Sequence, residues 1–209
     1  MRKISIILLL VVVFAMGMIG CAKRSPMQNL SSAEVSETAN PDESIIVFFA
    51  PANQHRLHVP IVETDGNGNL SFVTILVSGT KHLHRTTPGK HLYFLSTVNG
   101  RSEMLEANVE AGKIYYTYVS QHPNSRDSDP QRQYFNAFQF LPVPNITDEA
   151  FRKDLALCRW YQNTWAAKDW FERNRRDMQK RSVEALTRHQ EAVSKKVIMS
   201  EYGTTALVR

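Results

Sequence analysis

Cysteine is almost missing from this chain: only Cys21 and Cys158 stand among 209 residues. Two cannot build the multi-bridge framework with which small exported domains compensate for a thin core. There is no Gly-x-Ser-x-Gly elbow, no P-loop and no nucleophile motif around Cys158, so the familiar sequence signs of acyl transfer and nucleotide hydrolysis are absent. A dominant charge is missing too. Twenty-five Lys and Arg face twenty Asp and Glu, a formal net of +5, which is too small a surplus to argue for nucleic acid. The expectation is therefore no enzyme, no cofactor and no nucleic-acid partner. What the chain does contain has to carry the rest.

Its N-terminus is the most specific feature. Arg2 and Lys3 precede an uncharged run from Ile4 to Ile19, which ends at small Gly20 and then Cys21. A basic start, an apolar stretch and a small residue at the cut describe an export signal. The run is short for a membrane-spanning helix, which needs about 20 apolar residues. Met18-Ile19-Gly20-Cys21 resembles the lipobox of bacterial lipoproteins, with Met18 where Leu is usual. That resemblance implies cleavage between Gly20 and Cys21 and lipidation of Cys21 by a diacylglyceryl thioether and an N-acyl chain such as palmitate. Two or more chains hold stably where one is marginal. Ala22, rather than Asp, after the cysteine is similar to the outer-membrane sorting pattern of Gram-negative cells. The implied address is the cell envelope, lipid-anchored in the outer membrane and facing the periplasm.

Processing leaves 209 minus 20, or 189 residues, and removes Arg2 and Lys3, lowering the net charge from +5 to +3. Cys158 is then a lone thiol. Phe151, Leu155 and Tyr161 around it at helical spacing predict that it is buried and inert.

Composition divides the remainder. Residues 21–43 are rich in Ser, Ala, Glu, Asn and Pro and read as a lipidated flexible tether. The twenty-two residues after the cysteine, 22–43, would reach about 70 Å fully extended. From 44 to 141 short apolar runs alternate with turn clusters. Ile45 to Phe49, Val59 to Glu63, Leu70 to Val77, Leu92 to Ser96, Met104 to Val109 and Ile114 to Val119 read as strands. Asp65-Gly66-Asn67-Gly68, Thr87-Pro88-Gly89, Asn99-Gly100 and Ala111-Gly112 separate them. The pattern predicts an antiparallel β-sandwich, so the fold class is mainly β with an α-helical C-terminal appendage. Gln121 to Arg132 reads as a loop and Tyr134 to Leu141 as a returning strand. Residues 145–199 read as two helices. Thr147-Asp148-Glu149 caps the first, whose face is Phe151, Leu155, Cys158 and Tyr161. The second runs from Trp165 to about Val197. Residues 172–196 hold eight basic and four acidic side chains with few apolar ones, which predicts a helix projecting into water. Residues 200–209 are a tail.

The turn Thr87-Pro88-Gly89-Lys90-His91-Leu92, together with Glu110-Ala111-Gly112-Lys113-Ile114-Tyr115-Tyr116, is similar to small bacterial lipoprotein domains of unknown function related to PEGA-type β-sandwich modules. The likeness covers roughly residues 44–120 and implies a fold and an address but no chemistry. Tyr115 and Tyr116 are expected to place one ring on each face of a strand.

Three sets of residues are candidates for function. His82, His84 and His91 would point the same way if residues 87–90 close a hairpin, and three imidazoles could hold zinc or copper. Leu92 and Phe94 claim the opposite face for the core, so the histidine face is expected to be solvated. Asp65 to Asn69 reads as a hairpin turn rather than a calcium loop. The aromatics Trp160, Tyr161, Trp165, Trp170 and Phe171 read mainly as packing. Trp165, Trp170, Arg173 and Arg176 are candidates for binding an envelope protein through the C-terminal helix. The leading expectation is a non-enzymatic structural or complex-accessory role. A histidine-based metal-binding periplasmic module is the alternative, and an unrecognised envelope hydrolase the third.

Overall fold

The computed structural model describes residues 27–29, 35, 38–52, 58–96, 102–122, 137–193 and 195–208. Gly20, Cys21, the signal, the Asn99-Gly100 turn and most of the Gln121 to Arg132 loop lie outside them. In chain order the elements are β1 (Met27–Asn29), β2 (Ser44–Ala50), β3 (His58–Thr64), β4 (Leu70–Val77), β5 (Thr80–Thr86), β6 (Gly89–Leu95), β7 (Glu103–Val109), β8 (Ile114–His122), β9 (Ala137–Pro142), α1 (Glu149–Leu157), β10 (Arg159–Asn163), α2 (Trp165–Glu191) and β11 (Lys196–Ile198), followed by a short 3-10 turn at Ser200–Tyr202.

The strands form two sheets. One runs β1-β10-β5-β2-β8-β9 and the other β11-β7-β6-β3-β4. Both are mixed rather than antiparallel throughout, because β2 pairs parallel with β8, β10 with β5, and β11 with β7. The parallel pairs arise where the chain crosses between sheets instead of turning back. Gly112, at φ 71°, makes such a crossing from β7 into β8. Residues 87–88 make another: β5 and β6 belong to different sheets, so the expected hairpin there is an inter-sheet corner. The Asp65 turn is a hairpin as expected. It joins β3 to β4, with the Asn67 and Asn69 backbone N–H groups donating to Asp65 Oδ1 at 2.8 and 3.1 Å.

Alternation along the strands sorts the apolar residues into three cores. Ile46, Phe48, Tyr93, Leu95, Leu105 and Tyr115 fill the space between the sheets. Ile45, Val47, Phe49 and Tyr116 point outward and are covered by Phe151 and Leu155 of α1. Asp148 caps this helix, accepting from the Phe151 N–H at 2.8 Å. Val62, Leu70, Phe94 and Met104 face outward from the other sheet and are covered by Phe171, Met178 and Ala185 of α2. The result is helix, sheet, sheet, helix in four layers. Phe94 and Tyr93 are buried on opposite faces of β6, and Tyr115 and Tyr116 on opposite faces of β8, as alternation requires.

Several boundaries differ from the sequence expectation. The first helix stops at Leu157, with Cys158 as its C-cap, and Tyr161 lies in strand β10. Parts of the 21–43 stretch are held by the body. Met27–Asn29 pairs with β10, Ala39 packs on the α1 side, and Glu43 makes an ion pair with Arg85. The tail is also held. The Thr204 N–H donates to the Ile114 carbonyl at 2.9 Å, and the Val208 N–H to the Tyr116 hydroxyl at 2.7 Å. Gly203 crosses so near the Tyr115 ring that a Cβ there would stand 2.7 Å from it.

The largest correction concerns α2, which does not project but lies across a sheet. Its buried positions Ala167, Phe171, Met178, Ser182, Ala185 and His189 follow one face. Three of them are small and let the backbone approach, while the sheet supplies most of the apolar surface. Counting large apolar residues on the helix alone misses this. Phe171 stacks on Phe72 at 5.2 Å, and the Arg175 guanidinium donates to the Leu70 carbonyl at 2.7 Å. Phe171→Ala should therefore cost about 3–5 kcal/mol in urea unfolding. Truncation after Asn174 should yield an aggregating chain, because it strips cover from the five-stranded sheet. A truncated chain with an unchanged melting temperature would show that α2 is not part of the fold.

Candidate functional site, a charged pair between the sheets

Strand β5 presents Thr80, His82 and His84 on the face that carries Ala50, Phe48 and Ile46 of its partner β2. That face is the space between the sheets, not solvent. Strand β6 turns His91 and Tyr93 into the same space from the other side. The three histidines thus share one side of the chain, as expected, but the side is interior.

Each imidazole is committed differently. His82 is buried, its Nδ1 3.3 Å from the Tyr161 carbonyl, and burial lowers its pKa from the ordinary 6.5 to about 4. His84 lies edge-on to Tyr93 at 5.6 Å between ring centres, and burial likewise lowers its pKa to about 4. Its Nε2 is buried with no hydrogen-bond partner among the described residues. The Tyr93 hydroxyl is also buried, and although the Thr86 side chain is close enough to influence it, no hydrogen bond of normal geometry forms. Burial, then the Glu63 carboxylate, raises the Tyr93 pKa, so the phenol stays neutral.

His91 is the charged member. Its Nδ1 lies 2.5 Å from Glu63 Oε1 and its Nε2 2.7 Å from the Thr87 carbonyl. A carbonyl only accepts, so Nε2 carries a proton. A carboxylate beside Nδ1 then favours the doubly protonated ring. The Glu63 hydrogen bond raises the pKa of His91 against the opposing effect of burial, and the same bond lowers that of Glu63. The pair ties β3 to the corner after β5. Because both ring nitrogens are occupied, His91 offers no lone pair for a base or for a metal ion. No group of three or more His, Cys, Asp or Glu among the described residues is arranged to hold a metal. The trio that alternation brings to one side therefore does not form a metal site.

Beside this pair the sheet opens. Strand β3 pairs with β6 only over Ile61–Glu63, and the unpaired stretch beyond it borders a cavity of about 850 Å³. Glu63 and His91 line it with Asn69, Ser71, Lys90 and Glu106. Glu106 accepts from Lys195 at 3.0 Å and meets His189 Nε2 at 2.8 Å. Lys195, then His189, lowers its pKa. The cavity walls are mixed, with charged side chains beside apolar Leu92, Ala107 and Val197, and no local pattern marks them, since Glu63 and Glu106 read as ordinary strand residues.

The other candidates are dispersed. Trp165 is 61% exposed at the start of α2. Trp170 is half-buried against the sheet and Arg176 is exposed. Arg173 is exposed and paired with Asp169 at 2.9 Å. Cys158 is buried, its thiol donating weakly to the Ala50 carbonyl at 3.5 Å, and burial raises its pKa to about 11. It is the inert thiol expected. His58 is exposed on β3, far in register from the cluster.

The titration signs make the site testable. A depressed histidine pKa means that the unfolded chain binds protons the folded chain refuses. His82 and His84 therefore remove stability as pH falls from 6.5 toward 4. The charged pair behaves otherwise. His91 contributes fully below 6.5 and loses this as pH rises through its raised value, while Glu63 contributes fully above 4.5 and loses this as pH falls through its lowered value. Replacing His84 by Phe removes an unsatisfied buried nitrogen. His84→Phe should be neutral or stabilising at pH 7 and should flatten the acid limb of a stability-against-pH curve. An unchanged acid limb would show that His84 is not withdrawn from water. No protein-family model matches the chain and no curated protein matches it, so the reading of this site stands on its geometry.

Proposed function

We propose that the chain is a lipid-anchored cell-envelope protein with a non-enzymatic structural or complex-accessory role, held in the outer membrane with its body in the periplasm. The observation that carries the address is the pattern from Arg2 to Cys21: basic start, uncharged run, Gly20 and then the cysteine. Among the described residues no helix is long and apolar enough to cross a membrane, and the lipid would supply the attachment. The Pro88-Gly89 corner and the Glu110 to Tyr116 turn support kinship with small lipoprotein domains related to PEGA-type modules.

The non-enzymatic half rests on commitment of the reactive groups. At the cavity His91 is engaged through both nitrogens, and the Cys158 thiol is buried far from its reactive thiolate form. A scaffold needs such internal pinning, whereas a general base needs a free lone pair. The exposed charged face of α2, including Arg173 and Arg176, is the surface through which an envelope partner would be met.

Cys21→Ser should abolish incorporation of labelled fatty acid and release the protein from the membrane fraction. Full labelling of that variant would overturn the assignment. Crosslinking in intact cells followed by mass spectrometry should then identify an envelope protein against α2.

A further inference from the structure

The lipid anchor, if placed on Cys21, sits only six residues before Met27, the first residue of β1. Six residues span about 20 Å at full extension, so the anchor cannot leave the body far from the bilayer. The point of entry is defined by pairing: Met27 lies opposite Asn163 and Asn29 opposite Tyr161. The chain thus arrives at the Asn163 end of β10, where α2 begins two residues later. That corner is fixed to the fold. The Asn163 side-chain amide donates to the Val73 carbonyl at 2.6 Å, and its oxygen accepts from the Thr74 hydroxyl at 3.0 Å.

At this corner the surface changes character. Trp165, the first residue of α2, is 61% exposed, and Lys168 is exposed one turn on. Lys23 and Arg24 lie between the anchor and β1 in the sequence. Asp169, the nearest acid on the helix, is neutralised by Arg173 at 2.9 Å. An exposed amphipathic ring with a cation one turn on suits the headgroup level of a bilayer with anionic lipid.

We propose that this corner, with Trp165 and Lys168 beside β1, is a membrane-docking surface that seats the body directly on anionic phospholipid. The inference rests on lipidation of Cys21 and goes beyond it by fixing orientation. Six residues of lead bring Trp165 to the interface, and Lys168 one turn on meets the anionic headgroups.

The test uses full-length lipidated protein reconstituted into vesicles of phosphatidylethanolamine with a minority of phosphatidylglycerol, with and without bromine on the acyl chains. Tryptophan emission should shift to the blue and be quenched in brominated vesicles, and Trp165→Phe should remove both effects while Trp160 and Trp170 remain. Lys168→Glu should weaken the quenching. Protein that floats with the vesicles but shows the same quenching with and without Trp165 overturns the docking while leaving the anchor intact. Protein that does not float with vesicles overturns the anchor, and the docking with it.

Discussion

All seven residues of β2 are withdrawn from water, and the rest of the architecture answers that fact. A strand at the edge of a sandwich needs cover on one face, but this one needs cover on both. Ile46 and Phe48 require a second sheet, while Ile45, Val47 and Phe49 require a helix. Its flanks must also be paired, which β5 does antiparallel and β8 parallel. Burying a side chain such as Phe or Ile contributes about 1.5–3 kcal/mol, so this one strand gathers much of the stabilisation around itself. The α1 layer exists because β2 and β8 have an apolar outer face.

The interior is not uniformly apolar, and its exceptions are ordered by charge. Neutral His82 and His84 sit where only neutral rings are tolerated. His91 is charged because a carboxylate and a carbonyl are both in reach. An ion pair drawn even partly out of water rarely adds much over well-packed apolar groups, but breaking one leaves a charge without its partner. The Glu63–His91 pair therefore specifies how the β5–β6 corner meets β3 more than it adds strength. It also puts a fixed pair of charges on the cavity wall.

The strands of 44–120 were legible because apolar runs and turn residues mark them locally. The Asp148 cap, the Asp65 hairpin, the inert Cys158 and the two faces of Tyr115 and Tyr116 were legible for the same reason. What could not be read was which sheet each strand joins. Thr87-Pro88-Gly89 looks alike whether it closes a hairpin or turns a corner between sheets, and that choice decides whether the histidine face is wet or dry. Arg159–Asn163 followed a helix without a break in composition, so its strand was hidden. The burial of α2 was hidden in small residues, since Ala167, Ser182 and Ala185 carry little apolar weight of their own. Of the candidate site, the histidines were visible, whereas Glu63 and the cavity depend on where β3 stops pairing with β6.

Both ends of the body are stitched into sheets laid down by its middle. Strand β11 pairs parallel with β7, and Thr204 bridges Ile114 beyond it. Contacts of such sequence separation form slowly, since the loop between them must close first. A chain delivered from its N-terminus therefore cannot complete the five-stranded sheet until β11 has arrived. During that interval the outward apolar faces awaiting α1 and α2 are open to other chains. The feature that makes the finished body tight thus makes the unfinished one dependent on being shielded until that strand is in place.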